Sequence, residues 1–430
     1  MVRLSRSPWG KGKTEYLLSN LRTNPEIFFF YLLLLLLPTQ LGKHFWPTFS
    51  YVLGTRVDYL SPTLYLTDII ILFITLFYLP KAKIFQRIEK YKKYIFLFFL
   101  FTFLSIASSA SPLSGIYSQL KLLEFLILFL FISDNYERVK NFIAPAMAMG
   151  IIFVSVLAIA QFLNGGSIGG IFYFAGERFF SSSSPNIANA FIAGELVLRP
   201  YATFPHPNVL AAYILIGTFF ILKELSTRRP VGSFFYFISL GMGSIAIVLT
   251  LSRMAIFLYA LLLIYTVLGR ARINKKLNLK ILLFLAPLFV LSREIFIRFQ
   301  NLFLIDQSVV ERLDLTRASM KMFFDHPFTG AGLGNFLHTI PYYYKSDSLF
   351  FLQPVHNIFL FAASEVGIVG LGLLTAIFVI LFKNASRNNF ILSFIVLALS
   401  LSDHFFLTLQ QGQILFILTA AYILADKSRN

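Results

Sequence analysis

Long apolar runs recur along the chain, and short segments that hold most of its polar residues separate them. Many of these runs approach the ~20 residues that a helix needs to cross the hydrocarbon core of a bilayer. The pattern therefore predicts an all-α integral membrane protein with about 12 transmembrane helices. These helices span about residues 27–41, 63–80, 94–109, 113–133, 142–163, 207–224, 233–250, 254–268, 281–291, 356–382, 390–407 and 412–425.

Two polar segments interrupt this series for longer than the others. Residues 164–205 are rich in Gly and Ser, and the stretch from Ser292 to Asn357 is the longest interruption. We therefore divide the chain into residues 1–291 with helices 1–9, a large external loop at 292–355, and helices 10–12 at 356–430. The long stretch holds arginines and histidines, namely Arg293, Arg298, Arg312, Arg317, His326, His338 and His356.

Composition supports a membrane protein and narrows its chemistry. The 430 residues are 57% hydrophobic and 13% charged, about half the charged fraction of a soluble domain. A net charge of +17 would suggest nucleic acid in a soluble protein, but cytoplasmic loops of membrane proteins collect Lys and Arg. The absence of cysteine excludes disulfides and Cys-ligated metals.

Basic residues set the predicted orientation. The inner segments hold about 25 of the 37 Lys and Arg residues, and KAKIFQRIEKYKK is the strongest cytoplasmic marker. Both termini are therefore predicted to be cytoplasmic, with residues 164–205 and 292–355 outside. No small-residue cleavage site follows the first apolar run, so we interpret that run as a membrane helix and not as a signal peptide.

Four arginines lie on the outer side, where this charge bias should deplete them. A guanidinium matches the oxygens of a phosphate and stays charged at any working pH. Several arginines at one site would hold a diphosphate and stabilise it as a leaving group. The alternative is interfacial snorkelling, or pairing with a carboxylate or a lipid headgroup. These arginines are Arg199, Arg253, Arg312 and Arg317.

Two histidines directly precede predicted helices, His206 in FPHPN and His356 in PVHNIFL. The positive end of a helix dipole disfavours an imidazolium, and a general base must be neutral. The alternative for both is a capping or interfacial role. We interpret His326, His338 and His404 as structural.

Four charged residues fall inside predicted helices, where such groups usually face a bundle interior or a water-filled cavity. Lys121 and Glu124 are expected to neutralise each other, since they are three residues apart. Glu365 is expected to line a cavity or to hydrogen-bond to a neighbouring helix. Asp403 is expected to pair with His404 at the interface.

Two further segments predict local structure only. GAGLGN at 330–335 lacks the context of a nucleotide-binding loop and indicates a tight turn. DLTRASMKMFF predicts a short amphipathic helix that packs on the membrane surface through Leu315, Ala318, Met322 and Met320. Neither H-E-x-x-H nor D-x-D occurs, so no metal site and no cofactor is predicted.

Taken together, four segments resemble the O-antigen ligase and polymerase family of bacterial membrane glycosyltransferases. In order, they are LRPYATFPHPNVLAAY, LTLSRMAIFLYALL, ERLDLTRASMKMFFDHPFTGAGLGNF and PVHNIFLFAASEVGIVGLGLL. The resemblance covers about residues 190–380 well. An aromatic residue commonly follows the arginine of the third segment, whereas Leu315 and Thr316 occupy that region here, so the alignment leaves Arg312 and Arg317 as alternatives.

The resemblance implies a GT-C-like fold in the bacterial inner membrane and an inverting, metal-independent transfer on the periplasmic face. The donor would be a glycan on polyprenyl (undecaprenyl) diphosphate. The acceptor would be a sugar hydroxyl, on lipid A core for a ligase or on a second lipid-linked glycan for a polymerase. Arg199 and Arg312 would grip the diphosphate, and His356 would deprotonate the acceptor. Further substrate-binding candidates are Arg253, Arg317 and His206.

Two alternatives remain at this point. A polymerase of the same family fits the motifs as well as a ligase does. A flippase or transporter for lipid-linked oligosaccharide would fit the helix number and the intramembrane charges. Transporters, however, tend to contain internal repeats, which the sequence does not show, and they need no long outer loop.

Overall fold

The computed structural model describes residues 24–185, 187–192, 195–226, 233–270, 275–290, 307–344 and 352–427, and these are predominantly helical. Their helices are α1 (Pro25–Leu36), α2 (Leu66–Tyr78), α3 (Ile84–Ala107), α4 (Pro112–Asp134), α5 (Tyr136–Asn164), α6 (Pro207–Glu224), α7 (Ser233–Leu249), α8 (Arg253–Arg270), α9 (Lys275–Leu282), α10 (Ala286–Val290), α11 (Gln307–Asp325), α12 (Phe336–Thr339), α13 (Ile358–Asn384), α14 (Phe390–Ser402), α15 (Phe405–Thr408) and α16 (Gln410–Lys427).

Short antiparallel strand pairs occur between some of these helices. In each pair the two strands exchange hydrogen bonds directly, so each pair is a separate two-stranded sheet. The pairs are β1 (Gly42–His44) with β4 (Thr63–Tyr65), β2 (Tyr51–Val52) with β3 (Thr55–Arg56), and β5 (Asn189–Ile192) with β6 (Glu195–Leu198).

The chain forms two compact units. The first comprises Met1–Leu41, Leu66–Phe77 and Asn135–Gln300. In it, α5 packs against α1, α6 and α7, and α6 also packs against α7 and α8. Most of α6 is buried, as expected of a helix that is apolar all round.

The second unit comprises Gly42–Tyr65, Tyr78–Asp134 and Asn301–Asn430. Here α4 packs against α3 and α16, while α13 packs against α11, α14 and α16. An apolar cluster joins the 42–65 segment to α11 and to the residues before α13. Its buried members are Val52, Val57, Leu60, Leu315, Ala318, Met322, Phe336, Leu337, Ile340, Leu352, Val355 and Phe361.

Within the described residues, four helices are long and apolar enough to cross a membrane, namely α4, α5, α6 and α13. Several shorter apolar helices accompany them, at Pro25–Leu36, Ile95–Ala107, Ser233–Leu249, Arg253–Gly269, Asn278–Phe289 and Phe390–Ser402. The fold is thus consistent with the predicted all-α membrane protein. The number of about 12 membrane crossings stays a prediction.

The structure corrects several predicted boundaries. Within the predicted loop at 292–355, the amphipathic helix predicted at DLTRASMKMFF is confirmed, and it extends over Gln307–Asp325 as α11. Residues 63–65 form β4 and not the start of the second helix, and the eleventh helix ends at Ser402. The predicted helix at 281–291 corresponds to parts of α9 and α10. Arg293 and Arg298 lie outside the described residues.

Packing of α11 agrees with its sequence pattern except at one position. Leu315, Ala318 and Met322 form one apolar face, as predicted, but that face is buried in the apolar cluster of the protein and not on a membrane surface. Met320 is 45% exposed, so its predicted packing is wrong. It lies two residues from Ala318, which at 3.6 residues per turn is the opposite side of the helix.

The glycine-rich turn at 330–335 is confirmed, and it is held against an interruption in α13. Gly367 has φ 70°, and a side chain there would meet the backbone carbonyl of Phe328. The amide of Ile368 donates to the carbonyl of Pro327 over 2.7 Å, and the amide of Gly332 donates to the carbonyl of Glu365 over 2.9 Å. The break in α13 therefore exposes backbone groups that fix the turn.

Two of the intramembrane carboxylates also have the kind of partner that was predicted. Lys121 Nζ lies 2.7 Å from Glu124 Oε2, so this pair neutralises itself. Glu365 Oε1 accepts a hydrogen bond from the amide of Phe336 at 3.4 Å. Glu365 thus ties α13 to the start of α12.

Candidate active site

Arg199 is held firmly in the first unit. Its Nε donates to the carbonyl of Thr250 over 2.7 Å, and its Nη2 donates to Asn208 Oδ1 over 2.9 Å. Arg253 begins α8, three residues after the Thr250 that holds Arg199. These bonds fix the orientation of a half-buried guanidinium before any ligand arrives, which is the arrangement expected of an anion-binding arginine.

A second arginine, which the sequence analysis did not select, lies beside Tyr201 in the same unit. The Cζ of Arg178 is 5.4 Å from the centre of the Tyr201 ring, and its Nη2 donates to the carbonyl of Pro205 over 2.8 Å. Burial raises the pKa of Tyr201, while a hydrogen bond from Ala188 and the charges of Arg178 and Arg199 oppose that rise. Only the position of Arg178 within the predicted outer loop could have suggested it from sequence.

His206 is the N-cap of α6. Its Nδ1 accepts a hydrogen bond from the amide of Asn208 at 3.1 Å, and Pro207 occupies the first position of the helix. Both features are standard signals for the start of a helix. The structure therefore agrees with the capping alternative for this histidine.

His356 has a different position relative to its helix. The N-cap of α13 is Asn357, whose Oδ1 accepts hydrogen bonds from the amides of Phe359 at 2.9 Å and Leu360 at 3.1 Å. Capping is thus carried out by the neighbouring residue. The His356 ring is left to make other contacts, and its side chain is 14% exposed.

Asp403, at the end of α14, is the polar partner of His356. Its Oδ1 lies 3.3 Å from His356 Nδ1, and its side chain is buried. Because a carboxylate can only accept, this bond assigns the proton to Nδ1 and leaves the lone pair of Nε2 available to a substrate. The same geometry orients a general base in other enzymes, with the carboxylate stabilising the imidazolium that forms.

The sequence predicted a different partner for Asp403. Asp403 does contact His404, because its Oδ1 accepts from the amide of His404 at 2.8 Å. The additional bond to His356 spans 47 residues and was missed. A buried carboxylate needs a cationic or hydrogen-bonding partner. The sequence therefore indicated that Asp403 has a partner, but not that this partner is His356.

His404 belongs to this cluster. Its ring is 5.2 Å from that of His356, and its Nδ1 is 2.6 Å from Thr408 Oγ1. Burial lowers the pKa of His404 to about 3; Asp403 opposes this shift, while His356 and Arg312 reinforce it. His404 is therefore neutral at physiological pH.

The two arginines of α11 differ in their surroundings. The charge of Arg312 acts on His404, so this arginine lies near the histidine cluster. Arg317 is 72% exposed and forms a surface ion pair, with Nη1 3.1 Å from Asp314 Oδ1. Of the two alternatives left by the sequence, this effect on the pKa of His404 favours Arg312 as the one beside the site.

One group of donors among the described residues could hold a metal ion. A nitrogen or oxygen from each of His356, Asp403 and His404 lies within 4.8 Å of the other two. Imidazole and carboxylate are ligands that Zn²⁺ accepts. The three residues also satisfy one another through the hydrogen bonds described above, so the cluster does not require an ion for its stability.

The comparison with protein families agrees with the resemblance seen in the sequence. Residues 235–375 match the family model described as O-antigen ligase. Arg199 and His206 precede this segment, and the other predicted site residues fall inside it. No curated protein matches the chain. The match covers about a third of this helical chain with apolar spans, and it supports membership of the O-antigen ligase family.

Proposed function

We propose that this protein transfers a glycan from a polyprenyl diphosphate carrier to the hydroxyl of an acceptor sugar. The match to the O-antigen ligase family model supports a membrane glycosyltransferase of the ligase or polymerase type. The observation that carries the reaction is the bond between His356 Nδ1 and Asp403 Oδ1, next to a helix that Asn357 already caps. This bond orients the imidazole of His356, which does not cap the helix.

In the proposed reaction, the acceptor oxygen attacks the anomeric carbon of the donor sugar. A new glycosidic C–O bond forms, the bond from that carbon to the diphosphate breaks, and the proton of the hydroxyl passes to His356 Nε2. Asp403 stabilises the resulting imidazolium. Attack opposite the leaving group inverts the configuration, and no metal takes part.

Arginines are proposed to stabilise the departing diphosphate. Arg312 is supported by its influence on His404, and Arg199 by the two bonds that orient it. Guanidinium groups form strong, paired hydrogen bonds with phosphate oxygens. Arg253 is proposed as a further contact. Arg317 and His206 are secondary, because Arg317 is exposed at the surface and the Nδ1 of His206 already caps α6.

The carrier and the location are part of the same proposal. We propose undecaprenyl diphosphate as the carrier, in a bacterial inner membrane, with both termini cytoplasmic and transfer on the periplasmic face. The apolar helices support a lipid-linked donor, and the asymmetric distribution of Lys and Arg supports the orientation. Cysteine labelling of position 326 in intact cells, in this naturally cysteine-free chain, tests the orientation directly.

The catalytic proposal is tested with purified protein in nanodiscs, an undecaprenyl-diphosphate-linked glycan and a lipopolysaccharide core acceptor. His356→Ala should abolish transfer and retain donor binding, because it removes the base and leaves the arginines. His326→Ala is the matched control, since His326 is an exposed histidine of the same unit. Normal transfer by His356→Ala would remove the proposed base.

The product also separates the proposed reaction from its alternatives. Addition of one chain to lipid A core indicates a ligase, and a ladder of repeats on the lipid carrier indicates a polymerase. Movement of the donor across liposomes without formation of a glycosidic bond would contradict the transferase and favour a flippase.

A further inference from the structure

Tyr59 is an exposed aromatic residue in a rigid position beside the histidine cluster. It lies in the 3₁₀ turn Asp58–Leu60; Val57, which precedes the turn, and Leu60, which ends it, are both buried. The Ser50 hydroxyl donates to the carbonyl of Leu60 over 3.2 Å, which fixes the end of the turn. The position of Tyr59 is therefore set by packing and backbone bonds around it.

The packing that fixes Tyr59 is continuous with the packing that fixes His356. Val57 and Leu60 belong to the apolar cluster defined above, and so does Val355, the residue just before His356. Tyr59 and His356 are therefore both next to the same apolar cluster in the second unit. A close-packed protein interior keeps the residues around it in defined relative positions.

A chain of ring contacts links Tyr59 to the proposed base. The Tyr59 ring meets the His404 ring edge-on, with centres 5.6 Å apart, and the His404 and His356 rings are 5.2 Å apart. Tyr59 is nevertheless 38% exposed. A large aromatic ring next to a polar cluster but open to solvent has area available for a ligand.

We propose that Tyr59 binds the acceptor sugar by stacking against the face of its ring, beside the hydroxyl that His356 deprotonates. This inference rests on the proposed function. Sugar rings present polarised C–H groups on one face, and the negative face of an aromatic ring attracts them. The neighbouring Asp58 is also exposed and adds a carboxylate that accepts bonds from sugar hydroxyls. Tyr59 is thus a specificity-determining residue and takes no part in bond formation.

Steady-state kinetics with a deacylated lipopolysaccharide core oligosaccharide as acceptor test this role. Tyr59→Ala should raise the acceptor KM about 3- to 10-fold, which corresponds to the binding free energy of one aromatic contact. The kcat and the donor KM should stay near their wild-type values. Tyr59→Phe keeps the ring and should retain most of the affinity. Tyr51→Ala is the matched control, because Tyr51 is 42% exposed in the same segment.

Direct binding separates this inference from the reaction on which it depends. In the His356→Ala background, calorimetry with the same oligosaccharide should show weaker binding when Tyr59→Ala is added. An unchanged acceptor affinity in a protein that performs transfer would overturn the role of Tyr59 alone. A rise in donor KM instead would also overturn it, since it would place the ring against the lipid carrier. If no glycosidic bond forms with any acceptor, the proposed function fails, and the binding assay still decides about Tyr59.

Discussion

His206 and His356 share a local pattern, in which a histidine lies just before a long apolar helix and an asparagine is close by. Their side chains nevertheless have different hydrogen-bond partners. In the first unit, His206 is itself the cap of α6, and its Nδ1 accepts from the amide of Asn208. In the second unit, Asn357 caps α13 and His356 bonds to Asp403. The insertion of Pro207 between histidine and asparagine is the sequence difference that accompanies this change.

The comparison shows how a helix start decides whether a histidine is available for chemistry. The first amides of a helix need acceptors, and a side chain that supplies one cannot also accept a substrate proton from the same atom. Where an asparagine supplies the acceptor, the adjacent imidazole can take a carboxylate partner instead. The predictions below test this difference, beginning with the largest expected effect.

Asp403→Asn should lower kcat by roughly 10²- to 10⁴-fold and leave donor binding intact. The amide no longer fixes the tautomer of His356 or stabilises its cation, which is the contribution expected of an oriented general base. Single-turnover transfer and filter binding of the donor measure the two effects. Asp314→Asn is the control, because Asp314 pairs with Arg317 at the surface. Equal kcat values for both variants would show that His356 acts without its carboxylate.

Acidification should destabilise the region around His356 through His404. The folded-state pKa of His404 is about 3, below its ordinary value of 6.5, so the unfolded chain binds more protons between these values. Stability is thus complete above pH 6.5 and falls below it, by at most about 1.4 kcal/mol per pH unit. Thermal unfolding in detergent from pH 7 to 5 measures the slope, and His404→Gln should reduce it. An identical slope in that variant would mean that His404 is not buried as a neutral ring.

Replacement of the capping histidine should affect stability more than transfer. His206→Ala removes the acceptor at the start of α6 and should cost about 1 kcal/mol, while His206→Asn should restore it. Denaturation measures the first effect, and the transfer assay measures the second. A loss of activity in the Asn variant with normal stability would instead give His206 a direct contact with substrate.

These two histidines also show which features the sequence could predict. The bounds of α6 were predicted as 207–224 and are Pro207–Glu224, because a Pro at the first position and charged residues at the end mark both limits. The position of His356 just before a long apolar helix was likewise predicted, and α13 begins at Ile358. The amphipathic helix α11 was also predicted, from the spacing of apolar residues in DLTRASMKMFF, but its full extent, Gln307–Asp325, was not.

The partners of the site residues could not be predicted in the same way. Asp403 is 47 residues from His356, and local periodicity contains no information on which distant side chain will meet it. Tyr59 is further still along the chain and reaches the cluster only through tertiary packing. The sequence thus identifies helix starts and buried charges, whereas their pairing depends on how the helices pack.

Chelation should produce the smallest effect, and it bears only on the His356 region, where His356, Asp403 and His404 offer metal donors. We expect no change in transfer rate after EDTA treatment and exhaustive dialysis, because the proposed reaction needs only a neutral imidazole and guanidinium groups. Added Zn²⁺ should instead inhibit, since it would compete for His356 and Asp403. His404→Gln, which removes one donor and leaves the proposed base, should weaken that inhibition. Loss of activity on chelation, with recovery on addition of metal, would assign the cluster to a metal and require a different base.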